Sequence, residues 1–272
     1  MVNNIISQNK KAHDKIFKVY NLKHSEIYNK IEQARLRKVI LNIVKKVKAK
    51  EINVLDVGAG TGNLSLKFLD EGCKVIASDV SEKSLELLKK LSNKNKNLSV
   101  AMITNENLPF KDNEFDITCC YSVLHHVPDY INTVKEMIRV TKPGGFIYID
   151  HEANENKWKP NKYLIEYYKK TNQTFVEHLI KLIKTRELFS FDFIKTFFIK
   201  TFVDKRYKRE GDIHVWIDDH INWKKIRALS KKHCKIILEE DYLMYKQKVG
   251  LKEYLNLRKL CNDTKYILLK KL

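Results

Sequence analysis

The stretch that most constrains this chain is Val54-Leu55-Asp56-Val57-Gly58-Ala59-Gly60-Thr61-Gly62. It joins a β-branched apolar run, residues 52–57, to a segment carrying Leu64, Leu66, Phe68 and Leu69 that suits a helix start. A buried strand, a glycine turn and a helix, in that order, read as the ligand-binding edge of a parallel α/β sheet. Glycines let the backbone turn sharply and approach a ligand without a Cβ in the way. The helix behind offers free N–H groups and a positive dipole end. The spacing is G-x-G-x-G, and Asn63 stands where a dinucleotide fingerprint would place its third glycine. Asp56 would repel a pyrophosphate but suits an ammonium or sulfonium. Asp79 closes the next strand, 19 residues after Gly60, where a carboxylate accepts both hydroxyls of a ribose. Together these features describe a nucleoside ligand without a pyrophosphate.

The middle of the chain repeats the strand–helix alternation. Strands are expected at residues 73–79, 98–103, 115–121 and 146–149, and helices after Ser81 as N-cap and over residues 129–140. Lys142-Pro143-Gly144-Gly145 reads as a turn before strand five. The tail continues the theme. A helix capped by Asp218 or Asp219 runs to about Lys231, a strand spans 235–240 towards Tyr245, a helix spans 252–260 and a last strand spans 266–269. This predicts four regions: a helical cap over 1–50, a core over 51–151, a helical insertion or lid over 152–217, and a return to the sheet over 218–272. The insertion is too long for a bare connection and is rich in aromatic residues and lysines.

The chain has 272 residues, enough to bury a sizeable core, and lacks the apolar run of about 18 residues that a membrane span needs. Its start, MVNNIISQNKKAHDK, holds no apolar signal core, and its five cysteines lack metal-ligand spacing. A reduced, cytoplasmic setting is expected. The net charge of +19 is uneven: residues 1–50 and 151–272 are strongly basic, while residues 51–150 carry 11 basic and 14 acidic groups. Most of the basic residues are lysines, so a solvated coat explains much of the excess. If the flanks shape a substrate mouth, they favour an anionic or lipid-linked acceptor. The aromatic, basic stretch 182–207 reads as a lid over the substrate, a helical hairpin on the sheet, or an interfacial helix making peripheral membrane contact.

VLDVGAGTG, ASDVS, NENLPFKDNEFDI, YSVLHHVPD and KPGGFIYID, in that order, resemble the successive motifs of class I S-adenosylmethionine (SAM) methyltransferases, and most of all the UbiE-like, type 11 branch. The resemblance covers about residues 50–152. It implies a Rossmann-like three-layer α/β sandwich whose seven-stranded, mostly parallel sheet has an antiparallel last strand inserted beside the sixth. It implies SAM as cofactor and S-adenosylhomocysteine as product, without a metal. Carried over by position, Asp56 and the loop Gly58, Ala59, Gly60, Thr61, Gly62 would hold the methionine end. Asp79 would bind the ribose, and Val80 would pack on the adenine. Thr104, Asn105 and Glu106 would lie at the adenine edge, with Thr104 where the family often has Asp. Tyr121 would line the methionine pocket, and Tyr20 would fold over it from the N-terminal cap.

Methyl transfer needs alignment first, and a base only where the nucleophile carries a proton. His125 is the first candidate base and His151 the second, with His126 expected to pack structurally, as the resemblance implies. His214, Asp218, Asp219 and His220 do not form a recognised metal cage. The expected reaction is methylation of an O, N or C atom of a small molecule. RNA methylation through the basic flanks and a non-catalytic SAM-binding scaffold are the alternatives. No N-P-P-[YF] signature for amino methylation follows strand four, and Asn63 with Asp56 disfavours a nicotinamide dehydrogenase.

Overall fold

The computed structural model describes residues 24–103, 107–172 and 221–272, and single residues between the last two segments. Tyr20, Thr104, Asn105, Glu106, His214, Asp218, Asp219, His220 and almost all of 182–207 lie outside the described residues.

In chain order the elements are α1 (Lys30–Val44), β1 (Asn53–Val57), α2 (Ser65–Asp70), β2 (Lys74–Asp79), α3 (Glu82–Leu91), β3 (Leu98–Met102), β4 (Phe115–Tyr121), α4 (Tyr130–Val140), β5 (Thr141–Ala153), α5 (Glu155–Trp158), α6 (Lys162–Thr171), α7 (Trp223–Lys231), β6 (Cys234–Tyr242), α8 (Leu251–Leu257) and β7 (Thr264–Lys271). The sheet order is β3-β2-β1-β4-β5-β7-β6. β1 pairs parallel with β2 and β4, and β4 with β5, while β7 runs antiparallel between β5 and β6. This is the seven-stranded arrangement expected from the sequence.

Period-two alternation divides the core between the two faces of the sheet. Ile117, Cys119 and Tyr121 of β4 face one side, with Leu36, Ile40 and Ile43 of α1 and Phe68 of α2. Cys120 joins the other side, with Val134 and Met137 of α4 and Ile226 of α7. Every residue of β4 is buried, including the polar Asp116 and Thr118, as befits a central parallel strand covered on both faces. Each buried apolar side chain contributes roughly 1.5–3 kcal/mol by leaving water.

Several element ends shift by a few residues from expectation, and two of the differences have a clear local cause. The Lys142–Gly145 turn is drawn into β5, which begins at Thr141 and pairs Thr141 with Phe115 before a register shift to Phe146 and Ile117. Gly144, at φ +78°, absorbs the irregularity. The cap of α7 is Asn222, whose side chain accepts from the Lys225 N–H, not Asp218 or Asp219. Asn has the same capping chemistry and stands one residue ahead of the helix. In the described part of the insertion, Leu164 and Tyr167 of α6 pack on Tyr254 and Leu257 of α8 and on Leu243.

Candidate functional site

A cleft opens at the carboxyl ends of β1, β2 and β4, where ligands of open α/β sheets bind. Its wall includes Asp56, Gly58, Ala59, Gly60, Thr61, Asp79, Val80 and Tyr121, all expected, and also Ile27, Tyr28, Leu108, Val123 and His126. Among the described wall residues, Asp56 and Asp79 are the only titratable carboxylates, and there is no lysine or arginine.

The glycine loop is folded by its neighbours. Gly58 has φ +69°, and a Cβ there would come within 2.5 Å of Val123. Gly62 has φ +94°, and a Cβ there would come within 2.3 Å of Leu88, so this glycine serves packing and is not part of the wall. Gly60, at φ +53°, faces open space: a Cβ would meet nothing within 4 Å. The Gly60 N–H donates to Asp79 Oδ2 at 2.7 Å, and the Ser81 N–H donates to Asp79 Oδ1 at 2.8 Å. Asp79 thus draws the loop towards β2 while its carboxylate borders the cleft. Ser81, as expected, caps α3 by accepting from the Ser84 N–H. Asn63 accepts from Gln33 and from Lys67, tying the loop to α1.

Asp56 is fully buried and accepts both the N–H and the hydroxyl of Ser65, at 3.0 and 2.6 Å. Burial, with Asp79 close by, pushes its carboxyl up to about 7 against the pull of Ser65. A carboxyl in that state is stabilised by a cation brought to it. A cationic nucleoside fits this cleft: a glycine with room beside it, a carboxylate at the end of β2, and a buried acid whose hydrogen-bond partners are neutral.

The other end of the cleft is built from distant residues. The Tyr121 hydroxyl donates to Glu32 Oε1 at 3.0 Å. Arg35 binds Glu32 and also reaches Asp150 Oδ2 at 2.7 Å, its guanidinium 4.1 Å from the Tyr242 ring centroid. Tyr148 and Tyr242 donate to the same Asp150 carboxylate. Tyr28 borders the cleft from the N-terminal side, its hydroxyl 3.4 Å from that of Thr61, while the expected Tyr20 lies outside the described residues. The signal for Tyr28 is Asn29, which caps α1 and so fixes where the preceding chain meets the core.

The histidines also rearrange the expectation. A 3₁₀ turn at Leu124–His126 sends His126 to the cleft wall and His125 inward. His125 Nδ1 lies 2.8 Å from Glu152 Oε2, while Glu152 Oε1 accepts the Val123 and Leu124 N–H groups. The rings of His125 and His126 are 4.0 Å apart. His151 stacks on Tyr121, with ring centroids 4.7 Å apart. Burial pulls its imidazolium down to about 4, so at neutral pH His151 is uncharged and a weak proton acceptor. Among the described residues, no group of histidine, cysteine, aspartate or glutamate side chains could hold a metal ion, and no helix is long and apolar enough to cross a membrane.

Residues 55–149 match the family described as methyltransferase domain. The demethylmenaquinone methyltransferase of Staphylococcus saprophyticus is 40% identical over 107 residues, which cover 36% of this chain and 46% of that protein. The ubiquinone/menaquinone biosynthesis C-methyltransferase of Francisella tularensis subsp. novicida is 39% identical over 113 residues, 39% of this chain and 45% of that protein. The chain thus spans less than half the length of these curated relatives. Among solved structures, a SAM-dependent methyltransferase from Methanosarcina mazei has a TM-score of 0.53 at 19% identity, covering 85% of this chain and 97% of that one. A Pyrococcus horikoshii protein has a TM-score of 0.53 at 17% identity, covering 95% and 99%. These structural likenesses extend the shared fold beyond the matched segment.

Proposed function

We propose that this chain, whose residues 55–149 are a class I SAM-dependent methyltransferase domain, methylates a small-molecule acceptor related to a quinone. The observation that carries the reading is the wall of the cleft: Gly60 beside open space, with Asp56 and Asp79 as its titratable carboxylates. SAM, when bound, supplies a methyl group already activated on a sulfonium. Asp79 would accept the ribose hydroxyls while keeping the glycine loop in place through Gly60. Asp56 would face the positive methionine end, and Val80 and Leu108 would enclose the adenine. Tyr121 and Tyr28 would narrow the far end and keep water from it.

Glu152 accepts from His125 Nδ1, which puts the proton on that nitrogen and the lone pair on Nε2. His125 would take the proton leaving the acceptor. Quinone precursors are favoured by the names of the two relatives, a demethylmenaquinone and a ubiquinone/menaquinone C-methyltransferase, and by a wall without lysine or arginine among its described residues. The N-terminal segment and the 152–217 insertion would complete the acceptor pocket.

The test uses purified protein, methyl-tritiated SAM and an extract of the source cells, fractionated into small molecules, lipids, RNA and protein. Label in the small-molecule or lipid fraction is expected. Label confined to RNA or protein would overturn the acceptor class.

A further inference from the structure

The imidazole of His151 combines three features that ordinary packing does not require. Its backbone has φ +60°, a left-handed conformation that costs a β-strand residue energy. The pairing of β5 with β7 shifts register between Ile149 and Glu152, so His151 falls at an irregularity near the carboxyl end of the strand, just after Asp150 pairs with Tyr121 of β4. Both ring nitrogens are buried, and neither has a hydrogen-bond partner among the described residues. A buried polar group left so is costly, and a strained one near a strand end beside a cleft is a mark of ligand recognition.

The surroundings define what ligand group would satisfy it. The ring stacks on Tyr121, which forms part of the cleft wall, with planes 20° apart. The charged groups that act on it are the carboxylates of Asp150, Glu152 and Glu26, and the His125 ring lies near as well. The Arg35 guanidinium that pairs with Asp150 is already engaged by Glu32 as well. A carboxylate or phosphate brought here would meet negative charge. A neutral imidazole offers one donor and one acceptor, the complement of a hydroxyl or of a carbonyl.

We propose that His151 is an acceptor-positioning residue: it hydrogen-bonds an uncharged hydroxyl or carbonyl of the methyl acceptor and so selects neutral acceptors over carboxylated ones. The proposal rests on the methyl-transfer reading above and adds the charge class of the acceptor and the residue that reads it. The stack on Tyr121 places the ring next to the cleft wall.

The test measures binding to protein loaded with S-adenosylhomocysteine, by anaerobic calorimetry. The probes are 1,4-naphthohydroquinone, which is neutral, and 1,4-dihydroxy-2-naphthoate, which carries a carboxylate. The unaltered protein should bind the hydroquinone at least about tenfold more tightly than the carboxylate. His151→Phe keeps the stack but removes both nitrogens, and should weaken hydroquinone binding by about tenfold. His151→Asn tolerates the positive φ and keeps a donor and an acceptor, so it should stay within about threefold. Affinity for S-adenosylhomocysteine should be the same in all three proteins, which separates acceptor recognition from a general loss of structure. Equal hydroquinone binding by His151→Phe, equal or tighter binding of the carboxylate, or no hydroquinone binding by the unaltered protein would each overturn the proposal. Failure of the unaltered protein to bind S-adenosylhomocysteine would instead overturn the methyltransferase reading.

Discussion

The two ends of the cleft are assembled over very different distances along the chain. At the cofactor end, Asp79 reaches Gly60 across 19 positions and Asp56 reaches Ser65 across 9. At the end proposed to hold the acceptor, Tyr121 reaches Glu32 across 89 positions and Arg35 reaches Asp150 across 115. The first end works through backbone conformation and a few local carboxylates. The second works through a buried polar network whose members mean nothing singly. Changes at the acceptor end should therefore act on turnover or on the whole fold, and changes at the cofactor end on SAM affinity alone.

The largest effect is expected at His125. His125→Asn should lower turnover by about 10²–10⁴-fold while leaving SAM affinity unchanged, as read by steady-state rates beside calorimetry. Unaltered turnover would remove it as the base. Next comes Arg35→Met, which leaves Glu32 and Asp150 buried without their cation. It should cost about 3–5 kcal/mol of stability in a denaturant titration. A loss under about 1 kcal/mol would mean that the network is not held by charge.

At the other end, Asp79→Ala should weaken SAM binding by about 1–3 kcal/mol without a comparable loss of turnover at saturating SAM. The smallest effect concerns pH. With its carboxyl raised to about 7, Asp56 holds a proton in the ligand-free protein below that pH and releases it to face a cation. SAM affinity should rise with pH up to about 7 and then level, and Asp56→Asn should flatten the profile. The stability linkage has the opposite direction. Between the ordinary value of 3.8 and about 7 the folded chain keeps a proton that the unfolded chain has lost. The contribution of Asp56 to stability is therefore full at low pH and declines as pH rises through that window.

The same contrast explains what the sequence made legible. The order of strands, the Ser81 cap, the glycine loop and the position of Asp79 all follow from patterns within a few residues, and the structure has them where expected. The extension of β5 over Lys142–Gly145 could not be read, because pairing with Phe115 overrides the turn chemistry of Pro-Gly-Gly. Nor could the placement of His126 on the cleft wall and of His125 inward beside Glu152, since adjacent identical residues give no hint of which one a short 3₁₀ turn points inward. Tyr28 does not stand out in the sequence, because aromatic residues before a sheet carry no spacing signal of their own. Arg35 and Glu32 read as ordinary helix charges; only the tertiary fold brings Asp150 and Tyr121 to them.

The central claim is that this glycine loop, with Asp56 and Asp79, takes a cationic nucleoside and refuses a pyrophosphate. Calorimetric titration of the purified chain with SAM, and separately with NAD, tests it most directly. The account predicts saturable one-to-one binding of SAM and no binding of NAD. Binding of NAD, or of neither ligand, would contradict it.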